Sequence, residues 1–271
     1  MYRIVYILFD VVMLLIVYGM IIYIDTSSEP AEQGFFCDDR SLKYPNLENT
    51  ISVPALYVIS HGVPILFVLI SHFHTHKCGI DMRLHHTLCS YLLGSGILHL
   101  TANIVKVKLG KLRPNFFAVC RPDIQYPCTG QFINYYKCKG LDVEKIRHSR
   151  LSFPSLHAAV STYGMVFLII FIQTRYVRRT AFCLVWKCIQ GCCMMWFCIT
   201  SVSRIVDNKH HWADVIAGFL AGLAMSVWVA YQWAQITELR GTPPEEAEEE
   251  LLKTTNESMK WGTKMNRSAS I

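Results

Sequence analysis

Apolar residues along the chain gather into six long blocks, at 4–24, 53–70, 87–105, 155–174, 181–202 and 215–236, with polar stretches between them. Each block approaches the roughly 20 residues that a helix needs to cross the hydrocarbon of a bilayer. Only Asp10 and Lys187 carry a formal charge inside them. A core helix of a soluble protein keeps a polar stripe at 3.6-residue spacing, and none of these blocks has one. The pattern predicts an all-α polytopic membrane protein with six transmembrane helices. They form one domain over residues 1–236, and a polar tail, expected to be disordered, follows over 237–271.

The punctuation between blocks adds detail. Met1-Tyr2-Arg3 precedes the first block with no small-residue cleavage site, so an uncleaved first helix is expected. Asp10 is expected to face the bundle interior in a structural role. Pro54 and Pro64 fall in the second block, and Pro64 is expected to kink it. The next loop alternates His72, His74 and His76, with His85 and His86 further on. Without a partner set of Cys or carboxylates, it reads as a polar cytosolic turn rather than a metal site. Ser155 follows Pro154 at the start of the fourth helix, a combination that favours helix initiation. Cys183, Cys188, Cys192, Cys193 and Cys198 in the fifth helix read as small apolar packers. Gly218 and Gly222 permit a close helix contact, expected within the bundle, although a homo-oligomer is also compatible with them.

Composition sharpens the class. Hydrophobic residues make up 52% of the 271 and charged residues 17%, so no basic soluble module is left for a nucleic acid. The net charge of +6 is unevenly spread. Arg175, Arg178 and Arg179 fill the loop before the fifth helix and mark it as cytosolic. Counting helices from there puts the N-terminus, the His-rich loop and the tail inside, with the acidic run at 245–250. Sequons at Asn256 and Asn266 then lie inside and should be unused. The ends of helices three and five and the starts of helices four and six face outward or into a lumen. Cys37, Cys120, Cys128 and Cys138 fall on that oxidising side, so at least one disulfide is expected among the three in the large loop, with the pairing open.

Three charged blocks meet at that face. Lys106 and Arg113 lie seven residues apart, which on a helix puts both on one side. Ser155 and His157 open the fourth helix, whose free N–H groups favour an anion. Arg204, His210 and Asp214 sit between the last two apolar blocks, and His210 and Asp214 share a face if the segment is helical. Residues 106–150 carry ten Lys and Arg against three Asp and Glu, which runs against the positive-inside tendency. A site that must hold a dianion accounts for the excess. Phosphoryl transfer needs cations on the equatorial oxygens and an in-line nucleophile. His210 suits the nucleophile, Asp214 its orienting group and His157 the general acid. Lys106, Arg113, Ser155, Leu156 and Arg204 would bind the phosphate. No carboxylate cluster for Mg²⁺ appears, so neither metal nor cofactor is expected.

Residues 106–114 resemble the KxxxxxxRP block, 153–157 the PSGH block and 203–214 the SRxxxxxHxxxD block of the type 2 phosphatidic acid phosphatase superfamily. Gly34-Phe35-Phe36-Cys37-Asp38, Arg121-Pro122-Asp123, Tyr135-Tyr136 and His210-His211-Trp212 are similar to its animal lipid phosphate phosphatases. The resemblance covers residues 1–236. It implies six helices, an outward or lumenal site, a phosphohistidine intermediate and Mg²⁺-independent hydrolysis of phosphatidate, lysophosphatidate, sphingosine phosphate or ceramide phosphate. Leu156 stands where the pattern has Gly, and its side chain is expected to point away, into lipid or against the third helix. Two competitors remain: a lipid phosphotransferase of the same chemistry, and a non-catalytic membrane protein that binds lipid phosphate. The plasma membrane is the expected location, with ER or Golgi as the alternative.

Overall fold

The computed structural model describes residues 2–75, 82–124, 130–177 and 183–239. His76, Cys128, Arg178, Arg179, the acidic run at 245–250, and Asn256 and Asn266 lie outside the described residues. Contacts divide the chain into two units, Met1–Ala230 and Tyr231–Ile271. The candidate site described below lies in the first.

Among the described residues, six helices are long and apolar enough to cross a membrane, spanning Ile4–Ser27, Val53–His74, Leu84–Leu109, Leu156–Tyr176, Cys183–Val206 and Trp212–Gln232. They correspond to α1 (Tyr2–Ser27), a second span built from α2 (Val53–Tyr57) and α3 (Val63–Thr75), then α4 (Met82–Leu109), α7 (Leu156–Ile172), α8 (Cys183–Val206) and α9 (Trp212–Leu239). Two short helices, α5 (Phe116–Cys120) and α6 (Val143–His148), lie between α4 and α7. In α7, 72% of the apolar window is buried, against 11% in α1 and 17% in α8. α7 is therefore the central post, and the apolar faces of α1 and α8 are left for lipid.

The second span widens into a π-helical turn over Val58–Gly62, immediately before Pro64. Pro64 has no N–H for the Ser60 carbonyl one turn back. Tyr91 on α4 donates to that carbonyl instead, at 3.1 Å. A Cβ at Gly164 on α7 would collide with the same oxygen. The predicted kink is thus a junction where three spans meet through one freed carbonyl.

Asp10 does face a neighbour: its carboxylate meets His85 Nε2 at 2.9 Å, tying α1 to α4, with Cys89 close by. Gly218 and Gly222 press α9 onto the start of α7, where a Cβ on either would collide with the Ser155 or Ala159 carbonyl oxygen. The small-residue pair works inside the bundle.

A cap of irregular chain covers the bundle end reached by α1, α4 and α8. Phe35, Leu42, Leu112, Phe116 and Cys120 form its core. β1 (Phe35–Phe36) pairs antiparallel with β2 (Phe132–Ile133). A disulfide joins Cys120 to Cys138, one pair of the three loop cysteines, and Cys37 is disulfide-bonded as well.

Candidate active site

The cap and the helix ends enclose a cavity of about 550 Å³ lined by Lys106, Arg113, Leu156, His157, Arg204 and His210, with further residues from α1, α2 and α6. Ser155 and Asp214, also expected at the site, are buried but do not line it.

The first cation block does not work as two turns of one helix. α4 ends at Leu109, and Gly110, at φ +58°, donates to the Lys106 carbonyl and turns the chain. Arg113 returns through a loop held by its own N–H on the Ser149 carbonyl, 2.8 Å. Lys106 Nζ and Arg113 Nη2 both donate to the Leu151 carbonyl, at 3.1 and 3.4 Å. A shared backbone acceptor therefore brings them together, and helical periodicity does not.

Arg204 closes the far side. It is only 1% exposed, its Nη1 donates to Asn49 Oδ1 at 3.0 Å, and its Nη2 pairs with Asp207. Asp207 also accepts from the backbone and hydroxyl of Thr50, at 2.9 and 2.6 Å. One carboxylate thus fixes the end of α8 and the segment before α2 at once.

His210 departs from expectation in its partner. Its Nδ1 lies 2.6 Å from the Ser152 carbonyl, so Nδ1 carries the proton and Nε2 keeps its lone pair. Asp214 does not touch His210. Its Oδ2 accepts from Ser152 Oγ at 2.6 Å and from His211 N and Nδ1 at 3.0 and 3.3 Å, and its Oδ1 takes Lys111 Nζ at 2.6 Å. The reason is local. α9 begins only at Trp212, so His210 and Asp214 are not on one helical face. Asp214 therefore positions His210 through Ser152, whose hydroxyl it holds and whose carbonyl orients the ring.

α7 starts at Leu156, with Ser155 as its N-cap. The Ser155 hydroxyl makes no capping bond, and among the described residues it has no hydrogen-bond partner; the same lack of a partner holds for His157 Nε2 and Arg113 Nε. His157 and Arg113 line the cavity, and buried polar atoms left without partners there are costly unless a ligand completes them. Leu156 points to neither expected place. It packs with Ile51 and Leu56, at the start of the second span, and with Val160 on its own helix, while also lining the cavity.

The field of the site is strongly positive. Burial, and then the neighbouring Arg204, lower Arg113 to about 10. Burial, and then Arg113 and Lys106, push His210 well below the usual imidazole range. Lys209 and His148 at the cavity wall are lowered by burial and then by Arg113. Cations held this close need an anion among them.

Lys111, Ser152, Asn49 and Asp207 were not foreseen from sequence. Lys111 and Ser152 stand inside or beside the recognised blocks, yet no spacing rule marks them. Asn49 reaches Arg204, and Thr50 reaches Asp207, only because distant segments fold together.

Several known proteins resemble this chain. A family model described as the PAP2 superfamily matches residues 87–238. Phospholipid phosphatase 1 of Mus musculus is 31% identical over 84% of this chain and 84% of its own length. Phospholipid phosphatase 1 of Rattus norvegicus is 29% identical over 94% of this chain and 95% of its own length. A crystal structure of the first transmembrane PAP2 type phosphatidylglycerolphosphate phosphatase from Bacillus subtilis matches 89% of this chain and 100% of that one, at 17% identity and a TM-score of 0.42, too distant to argue from.

Proposed function

The chain belongs to the PAP2 superfamily, and on that premise we propose that it is an integral-membrane lipid phosphate phosphohydrolase working through a phosphohistidine at His210. Phosphatidate, lysophosphatidate, sphingosine 1-phosphate and ceramide 1-phosphate are its substrate class. The observation that carries the reading is the orientation of His210: Nδ1 tied to a backbone carbonyl, Nε2 unprotonated, in a buried pocket shared with Lys106, Arg113 and Arg204.

The chemistry follows in two steps. The three cations and the N–H groups opening α7 neutralise the phosphate oxygens. His210 Nε2 attacks phosphorus, the P–O bond to the lipid alcohol breaks, and His157 gives its proton to the departing alkoxide. The bound dianion brings the counter-charge that a protonated His157 needs among so many cations. Water then attacks phosphorus and gives a proton to His157 as the P–N bond to His210 breaks, which releases phosphate and restores a protonated His157 and a free His210 Nε2.

The disulfide joining Cys120 to Cys138 in the cap supports an outward or lumenal site, because such bonds persist in oxidising compartments. We place the phosphatase domain at residues 1–236, the tail in the cytosol and the protein in the plasma membrane, with ER or Golgi as the alternative.

The test is phosphate release from lipid phosphates by purified protein in EDTA, with radiolabel trapped on the enzyme by an acid quench. His210→Ala should abolish release and trapping together. Label retained in His210→Ala would overturn the assignment.

A further inference from the structure

The cavity is not cationic throughout. Beyond Lys106 its wall continues down α4 through Asn103 and His99, and Tyr57 of α2 and Asp25 of α1 complete that end. Asn103 Nδ2 reaches Asp25 Oδ1 at 3.5 Å, and Tyr57 Oη meets His99 Nδ1 at 3.2 Å. Asn103 is buried. Asp25 is held in place beyond its own helix, since Ala31 N–H donates to the Val107 carbonyl at 2.9 Å and Arg147 Nη2 to the Ser28 carbonyl at 2.8 Å.

Positions 99, 103 and 106 share one face of α4 at four- and three-residue spacing. At a rise of about 1.5 Å per residue, Asn103 lies about 4.5 Å and His99 about 10 Å further into the bundle than Lys106. A lipid phosphate enters with its phosphate at the helix ends and its chains towards the membrane. The substituent on its second carbon lies four single bonds from phosphorus, about 5 Å in a staggered chain. That is the depth of Asn103 and Asp25.

An aspartate carboxylate only accepts hydrogen bonds. An ammonium group on the second carbon gives it a charge-assisted partner, whereas an acyl ester there offers no donor and leaves it facing an ester oxygen. Resting on the phosphohydrolase reading above, we infer that Asp25 and Asn103 form a subsite for a protonated amine on the second carbon, so that the enzyme prefers phosphates of long-chain amino alcohols to those of diacylglycerols. The reacting atoms lie at the cation end. Asp25 and Asn103 set specificity and take no part in the chemical steps.

The test compares sphingosine 1-phosphate with phosphatidate in mixed micelles, using the full chain, Asp25→Asn and Asn103→Leu. The readout is the ratio of kcat/KM for the two lipids, so a general loss of activity cancels. Asp25→Asn is isosteric and should lower the ratio about tenfold, with Asn103→Leu moving it the same way. The same ratio is measured for equilibrium binding to His210→Ala and to the double variant His210→Ala/Asp25→Asn. Ratios within twofold of the parent in both arms overturn the subsite. If the unaltered chain cleaves neither lipid, the phosphohydrolase reading falls and the binding arm alone decides the subsite.

Discussion

Replacing Gly218 with Ala perturbs the site without touching it. The new Cβ would stand inside the contact radius of the Ser155 carbonyl oxygen and 3.1 Å from the carbonyl carbon. Relief requires α9 to retreat from α7 by about 1 Å, because close-packed interiors absorb little. That retreat strains the 2.9 Å bond from Ser155 N–H to the Asp214 carbonyl, and with it the joint between the two helix starts that carry His157 and Asp214. Overpacking costs about 1–3 kcal/mol, while exchanging Gly for Ala in a helix returns about 1 kcal/mol. The net loss of about 0–2 kcal/mol should leave the protein folded. A displacement near 1 Å in a positioned catalytic set costs on the order of 100-fold in rate. Gly191→Ala is the matched control, since nothing lies within 4 Å of its added Cβ. Thermal unfolding in detergent and lipid phosphate turnover are measured for both. Gly218→Ala turnover within twofold of Gly191→Ala would refute the claim that this contact sets the catalytic geometry.

Three further outcomes follow from the same geometry. Asp214→Asn and Lys111→Met should each lower kcat on the order of 100-fold, and the double variant should be little worse than either, because all three break one network that ends on Ser152; full activity in Lys111→Met would show that Asp214 acts without it. His210 has its folded pKa lowered by burial first and by Arg113 next, so between that value and the unfolded value of about 6.5 the unfolded chain binds more protons. Its contribution to stability is therefore complete above about pH 6.5 and lost as pH falls towards the folded value, and denaturation of His210→Gln across acid pH should lack that component. Leu156→Gly should destabilise by about 2–4 kcal/mol, since it removes a partly buried side chain packed on Ile51, Leu56 and Val160 as well as costing helix propensity; a melting temperature unchanged from the parent would show that this packing contributes nothing.

The sequence alone determined the spans. Hydrocarbon demands about 20 apolar residues per crossing whatever surrounds them, so blocks such as 215–236 announce themselves without tertiary information. It also identified the residue types at the candidate site, because Lys, Arg and His in apolar surroundings are too costly to keep without a purpose. What it could not supply was who meets whom. The His210 to Asp214 spacing suggests a direct pair only if the segment is helical, and the late start of α9 sends the carboxylate to Ser152, Lys111 and His211 instead. Lys106 and Arg113 converge through the Leu151 carbonyl, after a helix that stops between them. Arg204 finds Asn49 across more than 150 residues of chain. Periodicity reports on a face, while hydrogen-bond partners are settled where separate segments compete for the same donors and acceptors, and only the packed structure decides that competition.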